Sequence, residues 1–154
     1  MSEKSSQRII PYLNIDDLMV KKTFLDNLEY KVTGACIEVH KLLGPGLLES
    51  VYHKCLIREL QLRQINFSSE HSILLSYKDI FLNTELKADL IIENCLVVEL
   101  KSVDQIHPIH DAQLLTYMKL LKLPKGMLIN FNCTNIVQNG KKSFVNEYMY
   151  EIDP

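Results

Sequence analysis

Ala88-Asp89-Leu90-Ile91-Ile92-Glu93-Asn94-Cys95-Leu96-Val97-Val98-Glu99-Leu100-Lys101 sets two apolar runs of strand type around three charged residues, Asp89, Glu99 and Lys101. A strand through Leu96-Val97-Val98 reads as buried, and charges are seldom buried unless paired or bound to a metal. Side chains alternate along a strand, so Glu99 and Lys101 project from one face. Two carboxylates and an ammonium meeting at a sheet end can hold a hard divalent cation and activate a water beside it. Chemistry of that kind is hydrolysis, with a phosphodiester as the first candidate.

Whether the carboxylates meet depends on the turn between the runs. A plain two-residue turn at Glu93-Asn94 pairs Ile92 with Cys95, hence Ala88 with Glu99, and sends Asp89 to the opposite face. An odd-length turn such as Glu93-Asn94-Cys95, or a bulge, restores parity and sets Asp89 opposite Glu99. A shared site requires one of these.

Upstream, Asp16 or Asp17 is placed to cap a helix running through Leu28, Val32, Cys36, Val39 and Leu43 at helical spacing. Gly44-Pro45-Gly46 ends it, the first glycine suiting a C′ position and the proline barring continuation. A second helix spans about 47–64. The pattern turns to strand over 67–77, with Ile73-Leu74-Leu75 at its heart. Lys78-Asp79 makes a turn into short strand material at Ile80-Phe81-Leu82. Strands follow at about 86–92 and 95–102.

Residues 107–122 predict an amphipathic helix with Leu114, Met118 and Leu121 on its apolar stripe, ended by Pro124. Residues 127–132 are strand, and Asn139-Gly140 marks a hairpin turn before a last strand near 144–148. The order is α-α-β-β-β-α-β-β, an α/β domain with a mixed central sheet flanked by helices. The helix after strand 95–102 is long enough for a parallel crossover. Residues 16–154 form one domain. Residues 1–15 form a loosely structured segment in which Ile9-Ile10-Pro11-Tyr12-Leu13 packs back on it.

Two further groups join the candidate site. In Gly46-Leu47-Leu48-Glu49-Ser50-Val51-Tyr52, Glu49 and Tyr52 are three apart on a helix and share a face, with His53 beside them. An acid in a first turn also simply suits the helix macrodipole. In Gln113-Leu114-Leu115-Thr116-Tyr117, Gln113 and Tyr117 are expected opposite the Leu114/Met118 stripe, with His110 on the same side. That face can contact a phosphate or a water, or merely be solvated. His107 and His110 form an HxxH, but Pro108 marks a helix start more than a zinc site. His40 and His53 are read as surface histidines or phosphate contacts near the site.

Composition sets the outer bounds. The 154 residues suit one domain with a single core, and 47% apolar with 23% charged residues argues against disorder. No apolar run approaches the ~20 residues needed to span a bilayer. Met1-Ser2-Glu3-Lys4-Ser5-Ser6-Gln7-Arg8 lacks the apolar centre of a signal peptide. Cys36, Cys55, Cys95 and Cys133 are scattered without a CxxC pair, which fits reduced packing residues of a cytoplasmic protein. The net charge of −2 counts against a broad basic grip on nucleic acid, though bound metal ions can supply local positive charge.

Taken together, Gly46-x-x-Glu49-x-x-Tyr52, Asp89, Glu99-x-Lys101 and Gln113-x-x-x-Tyr117 resemble, in order, the motifs of the GxxExxY protein family. That family is similar to the PD-(D/E)xK nuclease superfamily, and the QxxxY helix resembles that of RecB-type nuclease domains. The resemblance covers residues 26–144 and implies an α-β-β-β-α-β nuclease-like core. It implies Mg²⁺ or Mn²⁺ on Asp89, Glu99 and the Leu100 carbonyl, with Glu49 on a second metal or a metal-bound water. Lys101 would act on the attacking water and the phosphate, and Gln113 and Tyr117 would position either. The implied activity is a nuclease, DNA before RNA, aided by a homodimer or protein partner and without a membrane role. The alternative is a non-catalytic module of the same fold that binds nucleic acid or a protein. Cys95, a poor turn former, is the one departure.

Overall fold

The computed structural model describes residues 21–152. The N-terminal segment 1–15 and the expected caps Asp16 and Asp17 lie outside them. In chain order the elements are α1 (Lys22–Leu43), α2 (Glu49–Leu62), β1 (Phe67–Ser72), β2 (Leu75–Tyr77), β3 (Ile80–Leu82), β4 (Lys87–Ile92), β5 (Leu96–Lys101), α3 (Pro108–Leu121), β6 (Lys125–Asn130) and β7 (Lys141–Val145). The main sheet runs β1-β4-β5-β6-β7. Only β5 and β6 are parallel, with α3 as their crossover.

β5 lies in the middle of this sheet and is buried on both faces up to Lys101, as the run Leu96-Val97-Val98 predicts, with the charged Glu99 buried along with it. Leu90, Ile92, Leu96, Val98 and Leu100 face α1 and α2, where Leu25, Val32, Cys36, Tyr52, Leu56 and Leu60 meet them. Ile91, Val97 and Leu128 face α3 and pack on Leu114, Met118 and Leu121. The result is a mixed α/β sandwich with the two successive helices on one face and the crossover helix on the other. The four cysteines are free, and burial pushes the Cys36 and Cys95 thiols up to about 12. No described helix is long and apolar enough to cross a membrane.

Several expected elements shift. The helix expected at 47–64 starts at Glu49, with Leu48 at its N-cap. The strand expected over 67–77 breaks in two. Ile73 turns its side chain into the α3-side core, while its N–H donates to the Leu86 carbonyl at 2.8 Å. Beyond it β2 and β3 form a separate hairpin through Lys78-Asp79, both with positive φ. Its apolar side chains are mostly outside, Phe81 being 80% exposed, so apolar content here did not mean burial. Strand β6 begins at Lys125 rather than 127 and ends at Asn130.

The last hairpin differs too. Asn139-Gly140 does not make a two-residue turn but closes a single π-helical turn, Ile136–Gly140. The Asn139 amide oxygen accepts the Asn135 N–H and its nitrogen donates to the Thr134 hydroxyl, stabilising that local loop instead. β7 therefore begins at Lys141, and a 3₁₀ turn occupies Glu147–Glu151 where strand was expected to continue.

Candidate active site

The β4–β5 connection has odd length. Ile92 pairs with Leu96 across a turn made of Glu93, Asn94 and Cys95, and Leu90 pairs with Val98. Glu93 and Asn94 adopt φ of 48° and 59°. Asn tolerates that region; Glu93 is held there as its carboxylate accepts the Asn66 N–H at 3.0 Å. Cys95 needs no turn propensity, because its side chain is a buried plug in the helix-packed core.

Continuing the register sets Asp89 opposite Glu99. Here the backbone ladder stops and side chains take over. The Glu99 carboxylate accepts the Asp89 N–H at 2.9 Å, and the Asp89 carboxylate accepts the Leu100 N–H at 2.8 Å. Each thus spends one oxygen on the opposite strand's backbone, leaving Asp89 Oδ1 and Glu99 Oε2 without a hydrogen-bond partner among the described residues.

Glu99 is only 4% exposed. Burial, reinforced by the Asp89 carboxylate, pushes its carboxyl up to about 8, although the Asp89 N–H and the Lys101 ammonium pull the other way. Lys101, two residues on and half-buried, shares that face. Glu49 arrives at the same end of the sheet from the first turn of α2. Its carboxyl lies above its ordinary value through desolvation, with Asp89 adding to the rise and Lys101 and His53 opposing it. Three carboxylates therefore face one ammonium, an arrangement short of positive charge.

From the other side α3 supplies Tyr117 and Gln113. The Gln113 amide donates to the Tyr117 hydroxyl at 3.2 Å. Tyr117 is not opposite the core stripe as expected but buried within it, since i+3 from Leu114 lies on the stripe's flank. Burial raises the Tyr117 phenol, and the Glu99 and Asp89 carboxylates raise it further. Tyr52 likewise departs from Glu49. It is fully buried and stacks on Phe131, ring centroids 4.5 Å apart, while Glu49 stays at the rim. His53 pairs with the Ser69 hydroxyl at 3.0 Å.

The remaining histidines have local duties. His110 Nδ1 accepts the His107 N–H at 3.0 Å, so the HxxH caps α3. His40 Nε2 lies 2.9 Å from the Cys133 carbonyl. Among the described residues no three Asp, Glu, His or Cys side chains stand as a ready-made metal-ligand set. The donors at the sheet end still suit a hard cation: two carboxylates with one uncommitted oxygen each, in a site where acidic groups outnumber the single Lys101 ammonium. Mg²⁺ typically takes few protein ligands and completes its shell with water and phosphate.

Ser102, which the motif reading missed, donates from its hydroxyl to the Leu47 carbonyl at 2.5 Å and joins the end of β5 to the segment before Glu49. A lone serine after a strand carries no pattern that would have found it.

A family model for the PD-(D/E)XK nuclease superfamily matches residues 26–143. No curated protein and no solved structure matches the chain significantly.

Proposed function

The chain belongs to the PD-(D/E)XK nuclease superfamily, and from this we propose that it is a metal-dependent nuclease of the GxxExxY type. It hydrolyses phosphodiester bonds of nucleic acid, DNA in preference to RNA, as the resemblance implies. The observation that carries this reading is the reciprocal bonding of Asp89 and Glu99, which brings two carboxylates together beside Lys101.

Asp89, Glu99 and the Leu100 carbonyl would hold Mg²⁺ or Mn²⁺. In a ladder a residue directs its N–H and carbonyl to the same neighbour, so the Leu100 carbonyl faces the side from which Asp89 reaches its N–H. When bound, such a cation acidifies water and neutralises charge on the scissile phosphate. The Lys101 ammonium orients the attacking water and stabilises the negative charge that builds on the phosphate. Glu49 takes a second metal or holds a water at the rim, and Gln113 and Tyr117 present hydrogen-bonding groups to phosphate or water.

A cleavage screen over single- and double-stranded DNA and RNA, with Mg²⁺ and with Mn²⁺, tests the proposal. Metal-dependent cleavage that disappears in Asp89→Ala supports it. Cleavage that survives chelation or this substitution contradicts it.

A further inference from the structure

Glu49 comes within electrostatic range of Asp89 and Lys101 from outside the sheet, on a connection that burial does little to hold. Gly44 and Gly46 have φ of 68° and 95°, which lets Gly44-Pro45-Gly46 reverse the chain between α1 and α2. Leu47 and Leu48 are 39% and 74% exposed, so no core packing fixes the segment that leads into Glu49. Two hydroxyls do so instead. Tyr52 donates to the Gly44 carbonyl at 2.5 Å and accepts the Leu47 N–H at 3.2 Å. Ser102 donates to the Leu47 carbonyl.

Ser102 is itself well anchored. It follows Lys101 directly, and the next residue, Val103, is clamped by the buried Asn130, which accepts the Val103 N–H at 3.1 Å and donates to its carbonyl at 2.9 Å. Asn130 is the register partner of Lys101 on β6. One short path therefore links the strand that carries Glu99 and Lys101 to the residue two before Glu49.

We propose that Ser102 is a positioning residue for the nuclease reaction: through Leu47 it fixes Glu49 relative to Asp89 and Glu99, with Tyr52 as the second hold. The proposal rests on the function proposed above. A displacement of about 1 Å at a reacting centre can lower a rate by up to about 10². A single lost tether on a loop still held by Tyr52 should cost less, about tenfold.

The test combines amide exchange on the metal-free protein with steady-state cleavage in Mn²⁺. Ser102→Ala should speed exchange over residues 47–51 and lower kcat about tenfold with KM little changed. Ser102→Thr, which keeps the hydroxyl, should restore both, and Tyr52→Phe should act in the same direction as Ser102→Ala. The double variant Glu49→Ala/Ser102→Ala should be no slower than Glu49→Ala, because Ser102 acts through Glu49. Additive losses, or faster exchange with wild-type kcat, overturn the proposal while leaving the nuclease reading intact. A wild-type protein that neither binds Mn²⁺ nor cleaves nucleic acid overturns both.

Discussion

Asp89 and Glu99 bind each other's strands: the Glu99 carboxylate takes the Asp89 N–H, and the Asp89 carboxylate takes the N–H that follows Glu99. This exchange ends the β4–β5 ladder and leaves two carboxylates together at the mouth of a buried strand. Their mutual repulsion and the desolvation of Glu99 are costs that a cation can offset. The same arrangement dictates what substitution and pH should do.

Lys101 contributes charge but no ligand. If it acts as proposed, Lys101→Ala should still bind Mn²⁺ yet turn over more slowly, by on the order of 10²–10³, because the interaction lost would be one that strengthens in the transition state. Single-turnover cleavage at saturating metal reads this directly. Full activity restored by excess metal would show that the lysine serves metal binding instead.

Glu99 should make the metal-free protein sensitive to alkali. Its carboxyl is raised from 4.5 to about 8 by burial and by Asp89. A raised acid stabilises the fold fully below its unfolded value, and that contribution is lost as pH rises through the folded value. The melting temperature of the metal-free protein should thus fall between about pH 5 and pH 9 more steeply than that of Glu99→Gln, which cannot ionise. Near neutral pH, Mn²⁺ should displace the Glu99 proton, so the calorimetric binding enthalpy should vary with the ionisation enthalpy of the buffer. Parallel melting profiles and a buffer-independent enthalpy would place the carboxyl in an ordinary range.

Tyr117 presents one hydroxyl, held by Gln113, toward the carboxylates. Tyr117→Phe should leave the packing on Leu114 and Met118 in place and reduce cleavage about tenfold, the worth of one neutral hydrogen bond. An unchanged rate with a lowered melting temperature would make Tyr117 a core residue only.

Much of this arrangement was legible in the chain itself. The alternation of Leu96 to Lys101 put Glu99 and Lys101 on one face, and parity alone demanded an odd turn if Asp89 was to meet Glu99. The turn adopts that length because Glu93 bonds Asn66 and Cys95 sinks into the core, both tertiary effects. Periodicity misplaced Tyr117, since a residue on the flank of a stripe can turn either way. The strand expected over 67–77 was legible only in part: it breaks at Ile73 and Leu74, its expected heart, because Ile73 sinks into the α3-side core while Leu74 stays exposed. The Ser102–Leu47 bond spans 55 positions, and no local pattern announces it.

The central claim is that Asp89 and Glu99 together hold the metal on which cleavage depends. Calorimetric Mn²⁺ titration of the wild type, Asp89→Ala and Glu99→Ala, each checked for an intact fold by circular dichroism, tests it most directly. The wild type should bind Mn²⁺, and both variants should lose binding and cleavage while remaining folded. A folded Glu99→Ala that binds Mn²⁺ and cleaves as well as the wild type would contradict the account.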